Sequence, residues 1–440
     1  MSAPAFVYLD HNATSLLRPA AFDAMTEALC AGGNPSSVHR SGRAARARVE
    51  AARRQVAELV GALPAEVTFT SGGTEANNLA LSGSGRRRML VSAIEHDSVL
   101  RAATNTELVA VGGNGVVDLA ALEKMLRSSR EPALVSVMFA NNETGVLQPI
   151  ADVVRLASKA GALVHCDAVQ GAGKLPIDLH ALGVDYLSLS AHKLGGPTGV
   201  GALVVRNGAP LIAGQLGGGQ ELNRRAGTEN VAGIAGFGAA AAAAGSGLDV
   251  AGLRDRMERA LLAAAPQARV FGAEAPRLPN TTCISMPGVK AETQVMALDL
   301  AGVCVSAGAA CSSGKVTRSS VLLAMGVDAT MADSALRISL GWDSGAGDIE
   351  RLIEACPPHL AAMVRFALAT GCRAREIAGL EWSRVDLTRA TAWLDQTKNG
   401  TPRGVPLNVD AVEVLTEQSG KHPRYCFTYR GAPVRWELTN

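Results

Sequence analysis

Lys193 is the residue whose setting most needs a chemical explanation. It follows the apolar run Tyr186–Leu189, within Ser190-Ala191-His192-Lys193. A lysine at the end of a buried strand is costly to desolvate unless it is neutralised or used, and Schiff-base formation with an aldehyde is one such use. For an isolated SxHK, a side chain that snorkels to solvent is the simpler reading. Asp167 ends a similar run, Ala162–Cys166. A carboxylate there can keep a pyridine-type nitrogen protonated, making the ring an electron sink; it can equally cap the next helix. Ser71-Gly72-Gly73-Thr74 lies between the run Val67–Thr70 and the helical run Glu75–Leu81. Backbone N–H groups at such a helix start can hold a phosphate, although the same pattern describes a plain turn. Cys311 sits in SAGAACSSG (306–314), a loop composition that favours mobility and little obstruction. As a thiolate with a lowered pKa or a nearby base it is a nucleophile; on composition alone, small packing is the commoner role.

These residues need a scaffold that gathers them. Val49, Ala52, Val56, Leu59 and Leu63 recur at helical spacing on an Arg-rich background. Val67–Thr70, Leu90–Ile94, Leu134–Phe139, Ala162–Cys166 and Tyr186–Leu189 are short, apolar and partly β-branched, and helix-length segments separate them. That alternation predicts a parallel sheet covered on both faces, with ligands beyond the carboxyl ends of its strands. SGGTE (71–75), EHDS (95–98), NNETG (141–145), DAVQ (167–170) and SAHK (190–193) all follow strands, so one pocket can collect them. One helix-length crossover and one strand separate Asp167 from Lys193, which suits neighbouring strand ends.

The bulk composition excludes some classes. The 440 residues are 48% hydrophobic and 19% charged with net charge +2, a soluble globular balance rather than the basic excess of a dedicated nucleic-acid binder. Met1–Asp10 has no secretory pattern, and the Ala- and Gly-rich stretch Val231–Gly245 reads as a packed helix, not a membrane span. The eight cysteines are scattered without CxxC or disulfide-like spacing. A reduced, cytoplasmic enzyme is expected. Composition shifts near Pro357-Pro358: only Trp342 precedes that point, whereas Trp382, Trp393 and Trp436 follow it.

LDHNAT (9–14), GNPSSVHR (33–40), FTSGGTEANN (69–78), IEHDSV (94–99), NNETG (141–145), HCDAVQ (165–170), SLSAHK (188–193), GGGQE (217–221), RRAGTEN (224–230), SAGAACSSG (306–314) and LRISLG (336–341) occur in one order. That series resembles the cysteine desulfurases of the class V aminotransferases over residues 6–355. The resemblance implies an α/β fold of the pyridoxal-phosphate fold type I, with a mainly parallel sheet flanked by helices and a smaller α+β domain. It implies a cofactor-binding large domain at 1–250 (with the N-terminal segment of the small domain) and a small domain at 251–356. It also implies pyridoxal 5'-phosphate as cofactor. Lys193 would form the Schiff base and Asp167 meet the pyridine nitrogen. His96 would stack on the ring and act in proton transfer, and Gln170 bond the phenolic oxygen. Gly73, Thr74, Ser190 and His192 would hold the phosphate, joined by Thr228 from a neighbouring subunit, which implies a homodimer. Asn142 and Arg337 would bind the substrate carboxylate, a task suited to the planar guanidinium fork. Cys311 would take sulfur from L-cysteine as a persulfide, releasing L-alanine, and pass it to an acceptor such as an iron–sulfur scaffold protein. No stable metal is implied, only a transient cluster contact at Cys311. Cys166 stands where the family usually has an aliphatic residue. Cys30, Cys166, Cys283, Cys304 and Cys356 are expected to be structural.

Beyond the boundary, ALATGCRAREIAGLEWSRVDL (367–387) and TAWLDQTKNGTPRGVPLN (391–408) read as a helix pattern followed by two strands joined at Asn399-Gly400. Residues 359–440 resemble the start of the tyrosine recombinase (phage integrase) catalytic domain, Arg373 matching its first arginine, Lys398 its hairpin lysine and Glu376 its acidic position. No His-x-x-Arg box or suitably placed tyrosine follows, and the segment has 11 Lys+Arg against 8 Asp+Glu. It is expected to cleave no DNA, to bind it weakly and salt-sensitively at most, and to expose apolar surface as a half-domain. Two other functions compete with the desulfurase: another class V aminotransferase or lyase, against which Cys311 argues, and a DNA-associated fusion with impaired activity.

Overall fold

The computed structural model describes residues 6–102, 106–245, 247–265, 267–287, 289–308, 318–355, 362–363, 365–366, 369–372, 374–394, 402–429 and 432–433. They form two compact units. One comprises Tyr8–Pro287 with Val305–Gly345, the other Met1–Val7, Gly288–Cys304 and Ala346–Asn440.

The larger unit is built on a seven-stranded sheet of β1 (Val67–Thr70), β2 (Arg88–Ser92), β3 (Thr106–Val109), β4 (Ala133–Ser136), β5 (Leu163–Asp167), β6 (Tyr186–Ser190) and β7 (Gly201–Val205), in the order β1-β7-β6-β5-β4-β2-β3. The pairs from β6 through to β3 are parallel. β7 runs antiparallel to both β6 and β1, so the sheet is mixed at one edge. Side chains alternate across it, as the strand period of two requires. Met89, Val91, Leu134, Leu203 and Val205 pack with the helix α3 (Gly73–Gly83) on one face. Leu90, Val135, Val164, Leu187, Ala202 and Val204 pack on the other.

That second face is covered by α2 (Arg40–Leu59), whose buried Ala45, Val49, Ala52 and Val56 recur at helical spacing. Val231–Ala244 is helical as its composition predicts, and it packs on both α2 and α1 (Pro19–Ala31). Its small residues permit this: a Cβ on Gly238 would lie 2.5 Å from the Ala52 Cα, and one on Gly236 2.5 Å from Met25. A four-stranded antiparallel sheet, in the order Ser306–Ala307, Ala335–Ser339, Thr281–Ser285, Arg269–Val270, completes this unit.

In the other unit, the segment after Ala355 has its own core, including Phe366, Ile377, Leu380, Leu394, Val405, Leu415 and Phe427. The helix there is shorter than the sequence pattern, Ala374–Ala378 among the described residues. Three antiparallel strands follow, Val385–Asp386, Thr391–Leu394 and Arg403–Pro406. No helix among the described residues is long and apolar enough to cross a membrane.

Candidate active site

The loops that leave β1, β2, β4, β5 and β6 open onto one cavity of about 320 Å³, within the usual range for small-ligand pockets. Gly73, Thr74, His96, Asn142, Asp167, Gln170, Ser190, His192, Lys193 and Arg337 all line it. Thr228 does not. It lies in a separate recess of about 170 Å³ with Ser71, Glu221 and Arg225. Cys311, Arg373 and Lys398 lie outside the described residues.

At one end of the cavity α3 begins at Gly73, and Thr74, Ser190 and His192 stand around its first turn. A Cβ on Gly73 would meet Val169 Cγ2 at 2.8 Å and Ser190 Cβ at 3.4 Å, so only glycine lets the helix start approach this closely. Burial, then the neighbouring Lys193, lowers the His192 pKa to about 4. His192 is therefore neutral at pH 7, and its Nδ1 lies 3.2 Å from Thr14 Oγ1.

Asp167 ends β5 and is buried. Its Oδ2 accepts from Asn77 Nδ2 (2.7 Å) and its Oδ1 from Val169 N (3.0 Å). Behind it lies the fully buried Glu95, whose Oε1 accepts from Met138 N (2.7 Å). Burial, reinforced by Asp167, drives the Glu95 pKa well up. The neighbouring His165 spans three strands, its Nδ1 2.8 Å from Ser136 Oγ and its Nε2 2.9 Å from Ser188 Oγ. Burial lowers its pKa to about 4.

Lys193 follows β6 in a 3-10 turn, Ala191–Lys193. Its Nζ donates to the carbonyls of Asn12 (2.7 Å) and Ala13 (2.6 Å). Asn12 is a hub that the sequence reading passed over. Its carbonyl also accepts from Gln170 Nε2 (2.9 Å), and its Nδ2 donates to Thr281 Oγ1 (2.9 Å) and the Asn142 carbonyl (3.2 Å). Asn12 lies in the quoted LDHNAT motif, but no chemistry singled it out there. His96 caps a short helix turn, Asp97–Leu100, its ring accepting from Ser98 N (3.1 Å).

Arg337 extends from Ala335–Ser339 and is 2% exposed. Its Nη2 donates to Asp10 Oδ1 (2.8 Å) and its Nη1 to the Asn142 carbonyl (3.3 Å). Its buried Nε has no hydrogen-bond partner among the described residues. Glu143 is buried nearby, where burial raises its pKa to about 7 against the opposing pull of Ser319, Arg337 and His96.

A helix N-terminus ringed by hydroxyls, an anchored carboxylate, a strand-end lysine and an under-used guanidinium thus share one cavity. Together they suit an anionic, nitrogen-containing aldehyde cofactor and a carboxylate substrate. Residues 7–352 match the class-V aminotransferase family, and the chain belongs to it. Within that family it falls among the cysteine desulfurases, with the type I fold of pyridoxal-phosphate enzymes. It is 47% identical to a cysteine desulfurase of Cereibacter sphaeroides over 80% of this chain and 95% of the relative. It is 39% identical to the IscS-like cysteine desulfurase of Mycobacterium tuberculosis, over 84% of this chain and 100% of that one. The solved NifS-like protein of Rickettsia africae superposes with a TM-score of 0.74 at 38% identity, covering 80% of this chain and 98% of that one. Residues 346–435 match the phage integrase family.

Proposed function

We propose that this chain takes sulfur from L-cysteine, with pyridoxal phosphate as its resident cofactor, Lys193 as the proton carrier and Cys311 as the sulfur acceptor. The convergence of Lys193, Asp167 and Arg337 in one cavity that begins at a helix N-terminus carries this reading. When bound, the cofactor supplies an electron sink for charge developing at the substrate's α- and β-carbons.

The chain's own residues do the rest. The start of α3, with Thr74, Ser190 and neutral His192, holds the phosphate by hydrogen bonds. Asp167, fixed by Asn77 and the Val169 amide, keeps the ring nitrogen protonated. Gln170 would donate to the phenolic oxygen, and His96 would stack on the ring. Arg337 and Asn142 hold the substrate carboxylate. Lys193 Nζ removes the α-proton. Cys311, as a thiolate, forms an S–S bond to the substrate sulfur while the C–S bond breaks, and the carbon fragment, reprotonated, leaves as L-alanine. The persulfide then passes to an acceptor protein for iron–sulfur cluster assembly or related thiolation. Thr228 serves the phosphate of a second copy's site, so the working unit is a homodimer.

Sulfide and alanine released from L-cysteine under a reductant test this reading. Wild-type protein is expected to give equal amounts of both, and Cys311→Ala neither, while the cofactor absorbance persists. Bound cofactor without products in the wild type would overturn it.

A further inference from the structure

Lys174 is a lysine that the proposed chemistry leaves without a role. It is 4% exposed, and its Nζ donates to two neutral oxygens, Asn12 Oδ1 (2.6 Å) and Gln170 Oε1 (2.7 Å). Burial pushes its pKa well below the lysine range, and the nearby Lys193 and Arg337 push it the same way. The buried His11 also feels its charge. Its short contacts to the two amide oxygens fix which end of each amide faces it.

This pairing has a directional consequence. Each amide can present an oxygen or an NH₂ at either end. Gln170 turns its oxygen to Lys174, so its Nε2 points to the Asn12 carbonyl, the same carbonyl on which Lys193 Nζ rests. Nε2 has two hydrogens, one of which goes to that carbonyl, and Gln170 lines the cavity. Asn12 turns its oxygen to Lys174 and to Asn280 Nδ2 (3.2 Å), leaving its Nδ2 for the Asn142 carbonyl. A flipped Gln170 would set oxygen against oxygen at Asn12 and donor against donor at Lys174.

We propose that Lys174 is a positioning residue: it locks the Gln170 amide with its donor end toward the cofactor and steadies Asn12 beneath Lys193, and so sets the proton affinity of the Schiff base at Lys193. The inference rests on the desulfurase reading. A donor on the phenolic oxygen stabilises negative charge there and loosens that oxygen's hold on the Schiff-base proton. Loss of the donor therefore raises the pH at which the Schiff base titrates.

The experiment is a pH titration of the visible absorbance of the purified holoenzyme. It compares wild type, Lys174→Met, Gln170→Leu and the double variant. Both single variants are expected to raise the midpoint by about 0.5–1 pH unit, the size of one hydrogen bond. The double variant is expected to move it no further than the larger single one, because the two residues act in series. Lys174→Gln, whose amide can face Gln170 either way, gives a smaller rise and is read in place of Lys174→Met if that variant fails to fold. A Lys174 variant that keeps its cofactor with the wild-type midpoint overturns the inference, as does an additive double variant. Wild-type protein without a cofactor band instead overturns the desulfurase reading itself.

Discussion

Replacing Arg337 by lysine should separate substrate binding from folding. Arg337 keeps one strong bond, Nη2 to Asp10, and one long bond to the Asn142 carbonyl, while its buried Nε has no partner among the described residues. Lysine retains the charge that Asp10 requires but loses the fork that grips both oxygens of a carboxylate. One charge-assisted hydrogen bond is worth about 1.5–3 kcal/mol, so the KM for L-cysteine should rise about 10- to 100-fold. The carboxylate does not change during reaction, so its binding is uniform and kcat should move only a few-fold. Arg337→Met adds a second effect by leaving Asp10 unpaired. That carboxylate is 19% exposed, so the cost should fall below the roughly 3–5 kcal/mol of a fully buried broken pair, and Tm should drop. Steady-state kinetics on cofactor-loaded protein and thermal melts distinguish the two. An Arg337→Lys variant that folds, keeps its cofactor and has a KM within about threefold of wild type would refute the carboxylate role.

Two further outcomes follow from buried charge. The folded-state pKa of His165 is about 4, lowered by burial, against about 6.5 unfolded. Between those values the unfolded chain binds the extra proton, so this stability is intact above pH 6.5 and is lost as pH falls towards 4, by about 3 kcal/mol; His165→Gln should flatten that part of the urea-midpoint profile, and an unchanged profile would contradict the assignment. Arg53 is buried and pairs with the buried Glu221 through two contacts, 2.7 and 2.9 Å, where Glu221, Leu222 and Asn223 hold φ values of 44°, 59° and 62°. Arg53→Met should cost about 3–5 kcal/mol in urea unfolding, and unaltered stability would show that this loop does not depend on the pair.

The polar clusters could be read ahead of the structure because parallel strands deliver their carboxyl ends to one side, so SGGTE, EHDS, DAVQ and SAHK had to converge. β7 was not predicted, although GALVV is apolar throughout. Its antiparallel direction follows from its connection: the ten residues between Ser190 and Gly201 are too few for a helical crossover. β3 escaped for the opposite reason. It is an edge strand whose Glu107 and Leu108 face solvent, and only Leu108 and Val109 of its four residues are apolar. Lys174 left one trace, its place four residues after Gln170 in GAGK. The meaning of that spacing depends on Asn12, 162 residues away, and no local pattern encodes such a pairing. Thr228 was assigned by resemblance alone, and its separate recess is a feature of chain geometry that no motif records.

The fused segment can be weighed by the same reasoning. The cavity residues named above all fall between Asn12 and Arg337, whereas the integrase match begins at residue 346, so among the described residues that segment gives the cavity no side chain. Its expected liability, the exposed apolar face of a half-domain, is small among the described residues: of its large apolar side chains, Trp393 and Val409 are exposed, while Phe366, Leu394, Val405, Leu415 and Phe427 are enclosed. Glu376, at the family's acidic position, is buried and paired with Arg403 at 3.1 Å. That pair links the strand Arg403–Pro406 to the helix Ala374–Ala378. The segment thus closes a core of its own, and the cavity's chemistry draws on none of its described side chains.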